Sequence, residues 1–203
     1  MALFFLESFY RIGINSSSVR SFDYWIDCLG DSRMKVFISY HRADAKYRKK
    51  LETILKAHQI EYYAVPENAD FNGKSNETIR NFTCKHVKKC QVLLCLIGKE
   101  TYSRPHVDRE IHTALRGIVG QRLGIIAVHL PSRSDSLSQL ELSTISPKLW
   151  DNKNYVVWAY WSEMDQAIES LVQTAFERAN DRSLCTAHTN ACMPLKHKIY
   201  YDN

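Results

Sequence analysis

Glycine and proline are sparse, at 7 and 5 of 203 residues, which leaves no room for a collagen-like repeat or a long flexible low-complexity segment. No apolar run approaches the roughly 18 residues that a bilayer-crossing helix needs, so no membrane span is expected. No block of like charge stands out either. The 27 Lys and Arg are scattered among 22 Asp and Glu, and a formal charge of +5 gives nucleic-acid binding no support. Walker and GxGxxG loops are both missing. What is present, 45% hydrophobic and 24% charged residues, is the balance of one soluble globular domain with tails.

The apolar start Ala2 to Leu6 is cut short by Glu7, no cationic segment precedes it, and no small-residue cleavage site follows a long enough core. A signal peptide is therefore not expected. Six cysteines, at 28, 84, 90, 95, 185 and 192, fit reduced thiols in a chain large enough to bury its own core, which points to the cytoplasm. Residues 1–33 hold the polar run Asn15, Ser16, Ser17, Ser18 and scattered aromatics without a sustained period. They read as an irregular extension, followed by a domain over 34–180 and a tail over 181–203.

From Met34 the pattern alternates. Lys35 to Ser39 is a short β-branched and aromatic strand, and Ala43 to His58 carries Tyr47, Leu51, Ile54 and Leu55 at helical spacing. Glu61 to Val65, the almost wholly apolar Val92 to Ile97, Leu123 to His129 and Tyr155 to Tyr160 supply four more strands. Asn76 to Lys88, His106 to Val119 and Glu163 to Ala179 read as the remaining helices. Strand–helix alternation implies right-handed crossovers and an α/β flavodoxin-like fold: a five-stranded parallel sheet, order 2-1-3-4-5, with helices on both faces. Ligands in such sheets sit beyond the strand carboxyl ends where the winding reverses. Here that crevice lies between the loops Tyr40 to Asp44 and Gly98 to Pro105.

Those loops exclude several chemistries. A phosphoacceptor receiver needs an Asp at the end of strand three, and this one ends Leu96-Ile97-Gly98-Lys99. A flavin or phosphate cradle needs a Gly- or Thr-rich turn after strand one, and this turn reads Ser39-Tyr40-His41-Arg42-Ala43-Asp44. The third helix has Thr101 or Ser103 as candidate caps, Pro105 in its first turn, and a stripe of Val107, Ile111, Ala114, Leu115 and Ile118 facing the core. Glu110 falls on the border of that stripe and Asp108 points more nearly outward. Glu110 is then either a solvated carboxylate favoured by the helix dipole or a site residue.

Val36-Phe37-Ile38-Ser39-Tyr40-His41 with Asp44 resembles the first sequence box of TIR and TIR-like domains. Leu94-Cys95-Leu96-Ile97-Gly98, Thr101-Tyr102-Ser103-Arg104, Val107 and Arg109-Glu110-Ile111 resemble the family's catalytic-helix region, and Ile125-Ile126-Ala127-Val128-His129 its next strand. The match spans about residues 35 to 180. The chain resembles in particular the NAD-processing TIR-like proteins of Thoeris antiphage systems. The resemblance implies a TIR-like fold, NAD as substrate rather than resident cofactor, and Glu110 as the catalytic residue. It further implies an NAD nucleosidase or ADP-ribosyl cyclase or transferase whose product is a signal nucleotide read by an effector protein, with self-association on activation. Many TIR domains carry Trp where this chain has His106.

The chemistry is compatible with one carboxylate. As the nicotinamide ribosyl bond breaks, the pyridinium leaves as a neutral base, so no general acid is required, and one Glu against the developing ribosyl cation suffices. Phe37, Ser39 and His41 share a strand parity and form a candidate substrate wall, although Phe37 equally suits the core. Tyr102 and Arg104 are candidates for ring stacking and phosphate contact, although an exposed loop Arg is more often merely solvated. His129 is either a ligand contact or a structural imidazole. Two rivals stay open: a non-catalytic TIR scaffold acting by self-association, and a nucleoside deoxyribosyltransferase-like N-glycosidase.

The tail spaces Cys185, His188, Cys192 and His197 as C-x2-H-x3-C-x4-H, which is not a common finger, and has few apolar residues to fold around a metal, so no metal site is expected. The lysines and arginines at 46, 48, 49, 50, 85, 88 and 89 read mainly as solvated helix faces, an assembly interface being the alternative. Expected partners are NAD and a small acceptor, with neither nucleic acid nor membrane.

Overall fold

The computed structural model describes residues 34–65, 75–117, 122–132, 145–181 and 183–184. By its internal contacts the chain separates into Met1–Arg33 and Met34–Asn203, and every described element belongs to the second unit. Along it run β1 (Lys35–Ser39), α1 (Ala45–Ala57), β2 (Glu61–Ala64), α2 (Asn76–Val87), β3 (Val92–Ile97), α3 (Pro105–Arg116), β4 (Gly124–His129), α4 (Pro147–Asp151), β5 (Val157–Tyr160) and α5 (Met164–Asn180). Single 3-10 turns at Arg42–Asp44, Thr101–Ser103 and Trp161–Glu163 lead into α1, into the start of α3 and into α5.

All four strand pairings are parallel and the order is β2-β1-β3-β4-β5, the flavodoxin-like α/β arrangement. Burial follows position in the sheet. Central β3, VLLCLI, is buried at every residue, whereas edge strand β2 is half-buried throughout. Alternate residues feed two cores. Phe37, Leu93, Cys95, Ile97, Ile125 and Ala127 face α2, α3 and α4, while Val36, Ile38, Leu94, Leu96, Ile126 and Val128 face α1 and α5. Each fully buried large aliphatic contributes about 1.5–3 kcal/mol, so the two layers fix the register that aligns the strand ends.

Two differences from the sequence expectations have local causes. The fifth strand starts at Val157 rather than Tyr155, because the amides of Tyr155 and Val156 both donate to the Asn152 carbonyl in a turn, each at 2.9 Å. Tyr155 instead sends its hydroxyl to the Leu123 carbonyl at 2.6 Å inside the core. Helix α4, five residues long, is too short to show a period and was not expected. At the far end of α3, Gly117 takes φ 62°, the left-handed conformation that terminates a helix without a Cβ penalty.

Candidate active site

Ser39 ends β1 fully buried, on the sheet face that α3 covers, level with Cys95 on β3. Val107, Ile111, Ala114 and Leu115 press α3 onto that face, and the helical turn between Val107 and Ile111 carries Glu110 inward. The sequence put Glu110 on the border of the buried stripe. It is in fact 4% exposed, and its charge acts on the Cys95 thiol beneath it. The position is therefore not that of a solvated helix-start carboxylate.

Burial raises the Glu110 carboxyl to a pKa of about 8, because an ionised group loses its hydration there. The opposing influence is the Ser39 hydroxyl, which favours the carboxylate. That approach is close but unclosed, since Ser39 Oγ has no partner within hydrogen-bonding distance. Among the described residues no Lys or Arg forms an ion pair with Glu110. Burial, with the neighbouring Glu110 charge, also drives the Cys95 thiol up to about 12, so it is an inert wall rather than a nucleophile.

Two loops frame this carboxyl. After β1, the buried Asp44 closes its turn through its amide and the His41 carbonyl, 2.8 Å, and its side chain turns to the end of β3. There a Cβ on Gly98 would lie 2.1 Å from Asp44 Oδ2, so glycine is what lets the carboxylate pack against the strand end. Ser132 donates to Asp44 Oδ1 at 3.2 Å, while burial raises the Asp44 pKa. After β3, Thr101 Oγ1 accepts from the Gly98 amide at 2.9 Å and donates to the Leu96 carbonyl at 3.2 Å. Ser103 Oγ donates to the Glu100 carbonyl. Neither caps α3 as the sequence suggested. The cap position belongs to Arg104, whose side chain makes no cap bond and pairs instead with Glu100, because both hydroxyls are used inside the loop.

His41 and His106 bring their rings to 6.4 Å, centroid to centroid. His106 Nε2 lies 3.3 Å from the Tyr40 carbonyl, and His41 Nδ1 is buried without a hydrogen-bond partner. Burial first, then the charge of Arg104 and the neighbouring His106, lower His41 to about 4; burial likewise lowers His106. Both rings are neutral at pH 7.

The other candidates sit apart from this centre. Phe37, 1% exposed, is two residues deeper on β1 among the core side chains. Tyr102 is exposed at 39% on the loop before α3. His129, abreast of Ile97, stacks on Trp158 at 5.5 Å and leans on Tyr160, which ties it to β5. Asp108 is a correction: expected to point outward, it is 2% exposed and accepts from Lys148 Nζ at 2.6 Å, because α4 covers that flank of α3. Sequence reading also passed over Cys95 and His106 as site neighbours. The parity and register of β1 and β3 were the signal for Cys95, whereas His106 was seen only as a departure from Trp.

Among the described residues no group of three or more His, Cys, Asp or Glu is placed to hold a metal, and no helix is long and apolar enough to cross a membrane. Cys185, His188, Cys192 and His197 lie outside the described residues. Residues 37–135 match the family described as Thoeris protein ThsB, TIR-like domain. Among solved structures, the chain is similar to the TIR domains in the activated Roq1 resistosome directly recognizing the pathogen effector XopQ, at 13% identity and TM-score 0.41 over 72% of this chain and 84% of that one. No curated protein matches.

Proposed function

We propose that this chain, which carries a TIR-like domain resembling those of Thoeris antiphage defence proteins, cleaves NAD at the nicotinamide ribosyl bond and uses Glu110 to do so. The observation that carries the reading is a buried carboxyl, unpaired with any described cation, at the carboxyl edge of β1 and β3 with a pKa raised to about 8. A desolvated carboxylate interacts strongly with positive charge that develops beside it. NAD brings such a charge: the C1′–N bond breaks, its electron pair leaves on nicotinamide as a neutral base, and the ribosyl carbon turns cationic. Ionised Glu110 holds that cation, or the ribose hydroxyls that share its charge, until water, an internal hydroxyl or a small acceptor adds to the ribosyl carbon and gives up its proton to the solvent. The ADP-ribose-derived product then serves as a signal to an effector protein. Ser39 lies close to the same carboxyl and favours its ionised form, and Arg104 offers a cation to the phosphates.

Self-association on activation belongs to this reading, as does residence in the cytoplasm, which the free thiols of Cys84, Cys90 and Cys95 support. The test is incubation of purified protein with NAD, with and without lysate from phage-infected cells, following nicotinamide and ADP-ribose-containing products by mass spectrometry. Glu110→Gln is expected to lower nicotinamide release by at least a hundredfold with the fold retained. In the native chain, kcat is expected to rise with pH and level off above about 8, since the ionised carboxyl is the active form. Turnover unchanged in Glu110→Gln removes the residue from the mechanism. Silence of the folded, assembled protein favours a scaffold, and nucleoside exchange favours an N-glycosidase.

A further inference from the structure

We propose that His41 and His106 form a proton-accepting pair at the rim of the Glu110 crevice, which takes up a proton as the diphosphate of a dinucleotide enters, so that substrate binding tightens as pH falls. The inference rests on the reading of the crevice as a dinucleotide site and adds to it a titrating subsite.

Among the described residues, the geometry is that of two nitrogen bases with no acid ion-paired to either. The two rings are 6.4 Å apart, one on the turn after β1 and one in the first turn of α3. His106 is held by the Tyr40 carbonyl, and a carbonyl accepts only from an N–H, which fixes Nε2 as the protonated nitrogen and leaves Nδ1 as the base. His41 Nδ1 is enclosed with no partner at all. Arg104, at the start of α3, acts on both rings as a like charge. The acids nearby are committed elsewhere: Glu100 to Arg104, Asp44 to Ser132 and the Gly98 strand end, Glu110 to the deeper layer beside Ser39 and Cys95. An empty cluster of this kind resists charging, because each added proton meets a cation and a desolvated ring. A diphosphate reverses the sign. It brings negative charge beside the pair, which favours the protonated ring, so the site protonates with the ligand rather than before it.

The probe is ADP-ribose, whose two esterified phosphates keep constant charge from about pH 5.5 to about pH 8, bound to the full Glu110→Gln chain so that the carboxyl does not titrate. Calorimetry in two buffers of different ionisation enthalpy counts the protons taken up. We expect uptake approaching one proton per ligand and affinity rising by up to about tenfold per unit fall in pH. His41→Gln and His106→Gln, which keep a polar side chain but accept no proton, are each expected to flatten that slope, and adenosine, without the diphosphate, to show none. In the native chain KM and kcat then both fall as pH falls, because binding gains a proton while Glu110 loses its charge. Binding of ADP-ribose without proton uptake, uptake unchanged in both variants, or no binding at all overturns the proposal. If nicotinamide release depends on Glu110 but no proton is taken up, the inference fails and the NAD reading stands. If NAD is untouched while ADP-ribose binding remains proton-linked, the reading fails and the diphosphate subsite stands.

Discussion

A carboxyl that is 4% exposed, with no described cation bound to it, destabilises the fold when it ionises, and the effect has a definite sign. In the unfolded chain Glu110 loses its proton near 4.5; in the folded chain burial holds the proton to about 8. Between those values the folded state binds more protons, so stability falls as pH rises from about 4.5 to about 8 and is level on either side. Glu110→Gln has no charge to acquire. It is therefore expected to be more stable than the native chain above about pH 8, by ~2–4 kcal/mol, with the gap closing toward pH 4.5. Urea midpoints at the two ends of the range check this, and a gap that ignores pH would contradict the buried ionisation. Gly98 is the second residue on which the site turns. A methyl there meets the Asp44 carboxylate at 2.1 Å, and relief requires Asp44 to leave its place beside Ser132. Gly98→Ala is expected to cost ~2–3 kcal/mol and to cost less in an Asp44→Ala background, the non-additivity being the signature of direct contact. Equal losses in both backgrounds would place the strain elsewhere.

Helix α3 presents Glu110, and the contact that sets its first turn comes from α4. Lys148 and Asp108 meet at 2.6 Å with side chains 6% and 2% exposed, so both charges of the pair are desolvated. Lys148→Ala removes the ammonium and leaves the carboxylate buried, at an expected cost of ~3–5 kcal/mol and a reduced rate of nicotinamide release as α3 shifts. Replacing both, Lys148→Met with Asp108→Leu, is expected to restore most of the stability by filling the same volume without charge. Thermal melts of the single and double variants separate these outcomes, and a double variant no better than the single would mean that the pair is not the source of the loss. None of this was legible beforehand. Five residues, PKLWD, carry no helical period, and the wheel that turned Asp108 outward took no account of a neighbour absent from the pattern. The same wheel placed Val107, Ile111, Ala114 and Leu115 correctly in the core stripe of α3, because a 12-residue helix repeats its period often enough to be read, while Ile118, the fifth residue of that stripe, lies outside the described residues.

The whole sheet was legible for a related reason. VLLCLI reads as a strand buried on both faces, alternation of such runs with amphipathic helices admits few topologies, and order 2-1-3-4-5 then brings the loops after β1 and β3 together. The site followed only as far as residue type and address go. Ser39 and Glu110 lie on facing elements because strand parity and helical period both point inward there. Whether Glu110 was wet or dry depended on how far α3 sinks onto β1 and β3, which is a packing outcome that local spacing does not encode. His41, on the turn after β1, and His106, in the first turn of α3, come together across 65 residues of sequence, and no local pattern pairs them. The division between Arg33 and Met34 bears on the last prediction. Lys35 opens β1, and β1 is an inner strand, paired with β2 on one side and β3 on the other, so a cut beyond Met34 removes ladder partners from both. A cut before Met34 removes none of them. A chain beginning at Met34 is therefore expected to unfold in urea within ~1 kcal/mol of the full chain, whereas one beginning at Phe37 loses Lys35 and Val36, a fully buried side chain, and is expected to lose ~3 kcal/mol or more. Denaturation midpoints of the three chains decide the matter: a Met34 chain that fails to fold would show that residues 1–33 are part of the domain.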